Sequence, residues 1–327
     1  MKNKYKKSRF FKPRIFPNSK KAQLFTILGI FIIFLTFASF EIFSTIHERD
    51  VIKTRVSTMD NFMNSIEKNL ERQMYISGFR ILFLAENEIT SSGNYINVNS
   101  FFNEAFFNGT VNGISNNSIM NGATYNDLII SLNQKANKIN VNITLNNSFI
   151  NITQNSPWFI NFTMTSDFVM KDKENLAKWD KKQVVSALIP VEGFEDPLYT
   201  INSYAKVSRK IKRTPYEENY TDELTGNITN LLDHFNKGYY SSNPNAPSFL
   251  KRIEGNLSAD SNGIESFVKT SDFSSQGIPT QEKTDIDYIY FSTNSPTYFK
   301  ISGMPSEFSI DNQSNHLQEY NISTLII

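Results

Sequence analysis

Cysteine does not occur in the 327 residues. Its absence excludes disulfides, cysteine-ligated zinc, iron–sulfur clusters and a thiol nucleophile together. Histidine is scarce: His47, His234 and His316 stand far apart, with no H-E-x-x-H pair and no spacing suited to a metal. Neither a G-x-S-x-G elbow nor a Walker A loop nor a dinucleotide glycine fingerprint is present. These absences leave no convincing catalytic motif, and no cofactor or metal is expected. Acidic residues are missing from the first 40 positions. From Glu41 to Thr90 there is no proline and a single glycine, Gly78. Nothing in that stretch signals a turn.

What is present begins with a charge split. Lys and Arg total 33 against 32 Asp and Glu, a formal net charge of +1. Nine of those bases (Lys2, Lys4, Lys6, Lys7, Arg9, Lys12, Arg14, Lys20, Lys21) lie within residues 1–21. The rest of the chain holds 24 bases against 32 acids, a net of −8. A basic tip on an acidic body argues against a nucleic-acid binder. Residues Ala22 to Phe40 follow the tip and carry no charge. About 20 apolar residues suffice for a helix to cross a ~30 Å hydrocarbon core. The bases in front place the N-terminal side in the cytoplasm, with residues from about 45 onward outside. An ordinary cleaved signal peptide fits less well, because the run is long for one and no A-x-A-like site follows. Membrane lipid is therefore the first expected partner.

Beyond the apolar run, Val56, Met59, Met63, Ile66 and Leu70 recur at steps of three and four. That spacing predicts a helix with one apolar face. The stripe is short for a coiled coil, since Gln73 and Ser77 fall on its continuation. From Ile76 to Ile89 the pattern turns broadly apolar, as when a helix enters a globular core. Gly78 there marks a kink or a close packing contact.

The head reads as mixed. Ser100 to Phe107 predicts a short helix, and residues 108–123 a surface loop rich in Asn and Gly. Thr124 is placed to cap a further helix, with Asp127 three residues on. At Ile139 the period changes to two. Ile139, Val141, Ile143 and Leu145 alternate with polar residues, Asn146-Asn147 reads as a turn, and Phe149–Ile152 as the returning strand. Trp158 to Thr165 and Gln183 to Val191 supply further strands. Strands so close in sequence, each with one polar face, predict an antiparallel meander packed on helix by one face. Glu195-Asp196-Pro197 reads as the turn that ends it. In the second half, Asn227–Lys237 and Pro247–Glu254 read as helices. Asp285–Phe291 and Tyr298–Ile301 read as strands paired with each other, and Ser323–Ile327 as an edge strand. Trp158, Trp179 and the many Phe and Tyr are expected chiefly in the core.

Three groups of residues are candidate sites. Asp285 and Asp287, alternate residues of the predicted strand, would share one face, with Asp311 and His316 downstream. Solvent-facing acids are the plainer reading. Lys206, Arg209, Lys210, Lys212 and Arg213 form the one basic cluster after the stalk. They suit a phosphate, an acidic glycan or an acidic partner, or else a solvated strand edge protected by charge. Eleven Asn-x-Ser/Thr sequons occur, all after residue 100: Asn108, Asn116, Asn142, Asn146, Asn151, Asn161, Asn219, Asn227, Asn256, Asn312 and Asn321. They are candidate glycosylation sites on an exterior domain.

A basic leader ending Lys20-Lys21-Ala22-Gln23, an apolar helix, a stalk helix and a β-rich head together resemble archaeal type IV pilin-like proteins with class III signal peptides. The resemblance implies processing at Lys21, Ala22 and Gln23, with the cut after Ala22 and Gln23 as the new N-terminus. The run LFTILGIFIIF would then be retained and would pack with other pilin-like subunits. The fifth position after that cut is Ile27, where many bacterial pilins carry Glu, which with the large head points to a minor subunit. The sequence thus predicts an α+β protein: a basic leader (1–21), a transmembrane helix (22–44), a stalk helix (45–90), a helix and β-meander part (91–203) and a mixed α/β part (204–327). The expected function is that of a non-enzymatic, single-pass surface component for assembly or attachment. Its rivals are a signal-anchored domain of an envelope or secretion complex, and an anchored exterior hydrolase using Asp285, Asp287 and His316.

Overall fold

A single helix, α1, runs from Lys20 to Ser92, 73 residues without interruption. The computed structural model describes residues 20–115, 117–222 and 225–327. The basic leader through residue 19 and the sequon Asn116 lie outside the described residues. The chain divides into two units, residues 1–61 and 62–327. In the first, every described residue belongs to α1. Its apolar side chains from Leu24 through Ile46 are exposed, Leu24 at 67 % and Phe43 at 69 %. Further along the predicted stripe Val56 is exposed as well, so the stripe's first member does not pack.

The second unit opens with the rest of α1. Here Met63, Ile66, Leu70 and Met74 are buried, followed by Ser77, Ile81, Leu84 and Ala85. Gln73 does not take the position after Leu70. Met74 does, because 3.6 residues per turn carry the buried stripe forward by four. Short elements follow: α2 (Val98–Asn108), the two-residue strands β1 (Thr110–Val111) and β2 (Ile114–Ser115), α3 (Asn117–Met120) and α4 (Tyr125–Asn137). A small hairpin and a helical turn thus occupy the stretch expected to be loop. Thr124 caps α4 in a reciprocal capping box with Asp127, as the spacing predicts.

Three long strands form the main sheet, in the order β3-β4-β5 and antiparallel throughout. They are β3 (Val141–Ser156), β4 (Phe159–Asp172) and β5 (Lys178–Pro190). Asn146-Asn147 is not a turn. The strand runs on through it, with an irregularity between Asn146 and Phe149 and a left-handed Asn147 at φ 50°. One extra residue there shifts the parity. Val141, Ile143 and Leu145 are buried before the bulge, Ile150 and Ile152 after it. The chain reverses later, between Ser156 and Phe159. The buried face of β4 presents Ile160, Phe162, Met164, Phe168 and Met170.

Helix α1 lies on that face at Gly78. A Cβ on Gly78 would overlap Ile189 Cδ1 and stand 3.0 Å from Phe162 Cδ1. This glycine therefore marks a close approach of helix and sheet. Ser77 Oγ donates to Ala123 O at 2.6 Å, and Arg80 Nη1 donates to the carbonyls of Ile119 and Asn121. These bonds tie the helix to the loop before α4.

The remainder is built from short elements: α5 (Pro197–Asn202), α6 (Thr229–Lys237), β6 (Tyr240–Ser242), α7 (Phe249–Ile253), β7 (Ile264–Ser266), α8 (Thr270–Ser275), α9 (Asp287–Tyr290), β8 (Tyr298–Phe299), β9 (Ile310–Asp311) and α10 (His316–Glu319). Strand β6 pairs with β7, and β8 with β9. Asp196 is not simply a turn residue: it caps α5, accepting from Leu198 N at 2.9 Å, with Pro197 in the first turn. Pro247 precedes α7 rather than opening it, and Ser248 takes the cap position. The predicted strand at Asp285–Phe291 is instead a helical turn. Tyr290 N donates to Ile286 O and Phe291 N to Asp287 O. Tyr298 accordingly pairs with Asp311, not with that segment. The C-terminal residues contribute a single bridge, Ile326 to Ile301.

Candidate functional site

The acidic residues singled out in the sequence converge on the interior of the second unit, not on its surface. Asp285 is 1 % exposed, and Asp287, Asp311 and His316 are each 0 % exposed. The reading of Asp285 and Asp287 as solvent-facing strand acids is therefore corrected. Their alternation reflects burial on every side, because α9 turns where a strand would have shown one face to water.

Asp287 belongs to a triad of buried charges. Arg252, on α7, donates from Nη1 to Asp196 Oδ2 at 2.5 Å and to Asp287 Oδ2 at 2.9 Å. Its Nη2 donates to Asp287 Oδ1 at 3.1 Å and also to Ile264 O. Ser266 adds its backbone N–H at 3.0 Å and its hydroxyl at 2.8 Å to Asp287 Oδ2. Tyr240 donates its hydroxyl to Asp196 Oδ2 at 2.8 Å. One guanidinium thus joins α5, α7, β7 and α9. Burial alone would lower the Arg252 pKa, but the two carboxylates raise it above its usual value. Burial also raises Asp287, against the opposing pull of Arg252.

A second cluster centres on His316. Its Nδ1 faces Asp311 Oδ1 at 3.0 Å, and its Nε2 faces Glu265 Oε2 at 3.4 Å and the Tyr288 hydroxyl at 3.3 Å. Burial would lower this imidazole. Glu265 and Asp311 outweigh it and raise the pKa to about 10, so His316 is a cation at neutral pH. Glu265 accepts from Tyr320 and Asn243 as well, at 2.7 and 2.8 Å. Burial raises it, yet these donors and His316 bring its pKa below the ordinary value. Asp285 stands apart. Its Oδ2 accepts from Ser309 N at 2.8 Å, while its Oδ1 has no partner among the described residues. Burial pushes its carboxyl well above the usual range.

The structure thus brings His316 and Asp311 together but gives Asp285 and Asp287 separate partners. Two clefts on the surface are lined by other residues. One of ≈ 500 Å³ involves Thr90, Ser92, Thr200, Asn202 and Tyr204, and the other, of ≈ 370 Å³, involves Glu88, Asn94, Tyr95, Asn97 and Glu104. Neither touches the acidic cluster. Among the described residues no group of three or more His, Asp or Glu is arranged to hold a metal ion. Arg252, Asp196 and Glu265, the centre of this interior, carry no motif. Their signal in the sequence is only an Arg beside Lys251 in a five-residue helix and an Asp before Pro.

The basic cluster is likewise divided. Arg209 is buried over the Tyr199 ring, and its Nη2 lies 3.4 Å from Asp272. Arg213 holds Glu217 with two bonds, at 3.1 and 2.9 Å. Lys212 lies over the Tyr239 ring at 4.8 Å. Three of the five bases are engaged within the fold, but of the five only Arg209 is buried; Lys206, Lys210, Lys212 and Arg213 are exposed. Of the sequons, Asn108, Asn142, Asn146, Asn151, Asn219, Asn227, Asn256 and Asn312 are exposed, while Asn161 and Asn321 are half-buried. Asn161 Oδ1 is buried with no partner among the described residues.

The remaining candidate is the apolar end of α1. It is long and apolar enough to cross a membrane, and none of the qualifying stretch is buried. Its hydroxyls turn inward on the helix: Thr36 Oγ1 donates to Ile33 O at 2.7 Å and Ser39 Oγ to Leu35 O at 2.8 Å. Lys21, Ala22 and Gln23 lie in the first turns of the same helix. No protein-family model, no curated protein and no solved structure matches this chain.

Proposed function

We propose that this protein is a single-pass surface component whose α1 carries both the anchor and the assembly element, with the second unit as an exterior head. In its narrower form it is a pilin-like or adhesin-like minor subunit. One observation carries it. A single helix is apolar and exposed over its first turns, then carries buried residues from Met59 onward. In water such an exposed run is unfavourable, at about 25 cal/mol per Å² of apolar surface. In a bilayer it is the surface required, and Thr36 and Ser39 bond within the helix as hydroxyls in hydrocarbon must. A retained helix of this kind also suits lateral packing with like helices.

The N-terminus of the mature protein, read by mass spectrometry from native membranes, tests the pilin-like form. A start at Gln23 supports it. A start at Met1 or Lys2 overturns it and leaves a signal-anchored domain of an envelope complex. Protease treatment of intact cells tests the topology. Degradation of the head supports the proposal, and its protection until the membrane is opened overturns the exterior placement.

A further inference from the structure

We infer that the polar furrow at the C-terminal end of α1 is a binding site for a neutral oligosaccharide, with Tyr204 and Tyr95 as the surfaces on which its sugar rings lie. Such a site gives the attachment reading proposed above a ligand class, and its role rests on that reading. The two surface clefts, of ≈ 500 and ≈ 370 Å³, share Ser92 as a common wall, and all their lining belongs to the second unit. Helix α1 ends there, and the carbonyls of a last helical turn lack intrahelical donors. Gly93 N donates to Ile89 O at 2.9 Å and Asn94 Nδ2 to Ser92 O at 3.0 Å. Among the described residues no hydrogen bond reaches Thr90 O or Ser91 O, and both residues line the larger cleft.

Tyr204 lines the larger cleft and is 82 % exposed, so its ring adds almost nothing to the core. Yet its backbone is left-handed, at φ 51°, with Ala205 beside it at φ 58°. That conformation is costly for a residue with a Cβ. The turn is fixed nonetheless: Tyr204 N donates to Ile201 O at 3.2 Å and Ala205 N to Thr200 O at 2.7 Å. A strained, well-bonded turn that displays an aromatic ring to solvent is explained by a ligand, not by packing. Tyr95, in the smaller cleft, is 38 % exposed and equally well placed. A Cβ on Gly255 would stand 2.5 Å from Tyr95 Cδ2, so the ring is seated on that glycine. Ile96 N donates to Ile253 O and Val98 N to Glu254 Oε1, both at 3.1 Å, which pins the segment.

The remaining lining selects the ligand class. The larger cleft presents hydroxyls and an amide, from Thr90, Ser92, Thr200 and Asn202, and no charged side chain. The smaller presents Asn94 and Asn97 with two carboxylates, Glu88 and Glu104. Asn112 Nδ2 donates to Glu88 Oε1 at 2.9 Å and Gly113 N to Glu104 Oε1 at 2.7 Å, which holds both in place. An apolar small molecule needs apolar walls, and a peptide needs a sheet edge or apolar anchor pockets. Hydroxyls, amides and carboxylates supply neither. The carboxylates also repel an acidic ligand. A neutral sugar matches all of these groups: its apolar C–H face covers an aromatic ring, and its hydroxyls bond to amides, hydroxyls and carboxylates around the rim.

The test uses the full-length chain in lauryldimethylamine oxide micelles, because glucoside or maltoside detergents would themselves compete. The probes are an array of neutral and acidic oligosaccharides and an array of peptides. Binding to some of the neutral oligosaccharides is expected, without binding to the acidic ones. Tyr204→Ala is expected to weaken the tightest of these about tenfold. Tyr75→Ala, at an exposed aromatic outside both clefts, is expected to leave it unchanged. Tyr204→Gly separates binding from folding. It removes the ring and relieves the left-handed backbone, so the urea midpoint should hold or rise while binding falls as in Tyr204→Ala. Binding to no neutral oligosaccharide, binding to peptides alone, or undiminished binding by Tyr204→Gly overturns the inference. The attachment reading fails separately: a head protected from protease in intact cells, with oligosaccharide binding retained in micelles, removes the exterior role and leaves the site standing.

Discussion

The two halves of the head are held together differently. In residues 62–191 a helix lies on a regular sheet and the interior is mostly apolar, with Phe162, Met164, Phe168 and Met170 all 0 % exposed and Ser77, Ser166 and Asp172 among its few buried polar groups. In residues 192–327 the strands are two or three residues long, and the interior holds Arg252, Asp196, Asp287, Glu265 and His316 at 0 % exposure. Backbone bonding explains the contrast. Long strands satisfy their own N–H and C=O groups in ladders, so their side chains are free to be hydrocarbon. Irregular segments leave backbone groups and chain directions unfixed, and buried polar side chains fix them instead. Ser309 N bonds to Asp285, Leu198 N to Asp196, and Tyr288 N to Asp287.

The largest effect that should separate the halves is Arg252→Met. It strips two buried carboxylates of their cation and should cost about 3–5 kcal/mol. Urea unfolding of the full chain in micelles, followed by tryptophan fluorescence, measures it. Adding Asp196→Asn and Asp287→Asn should recover most of that loss, since both amides keep an acceptor while removing the stranded charges. If the triple variant is no more stable than Arg252→Met, charge balance is not what Arg252 contributes. By contrast, Met164→Leu in the apolar half should cost under about 1.5 kcal/mol.

A second test uses pH. The folded pKa of His316 stands at about 10, above its ordinary 6.5, so its contribution is complete below pH 6.5 and fades as pH rises toward 10. His234 is the opposite case. Burial drives it down to about 3, with Thr214 Oγ1 3.0 Å from its Nδ1. Its neutral form stabilises the fold above pH 6.5, and that contribution is lost as pH falls toward 3. Unfolding midpoints measured from pH 4 to 10 should therefore fall at both ends. His316→Gln should flatten the alkaline limb alone, and His234→Phe should reduce the acid limb alone. A profile unchanged by either variant would contradict these assignments.

Smaller effects belong to the apolar half. Gly78→Ala drives a methyl into Ile189 and Phe162 and should cost about 1–3 kcal/mol, as overpacking does. Ile189→Val in the same variant should return part of it, which the same urea titration reads. Thr124→Ala removes the α4 cap and should cost about 1 kcal/mol.

The parts of the fold legible in the sequence are those where one local rule acted alone. Thr124 and Asp127 cap α4 because the box needs only four consecutive residues. The strands β4 and β5 follow their alternation because each has one wet face. Asn146-Asn147 looked like a turn because a left-handed Asn serves turns and bulges alike, and only pairing with Asp167 and Thr165 distinguishes them. Asp285–Phe291 looked like a strand because alternation also arises when every side is buried. The charge network was not legible at all: Arg252 and Asp287 are 35 residues apart and Asp196 lies 56 before Arg252.

The sequence by itself determined a charge-free apolar run behind a basic tip, the long helix that contains it and the alternating strands of the sheet. These depend on composition and period, which neighbours along the chain settle among themselves. Tertiary structure decided the bulge at Asn147, the close approach at Gly78 and the pairing of Arg252 and His316 with distant carboxylates. A buried charge is tolerated only where a counter-charge arrives, and where it arrives is a property of the whole fold.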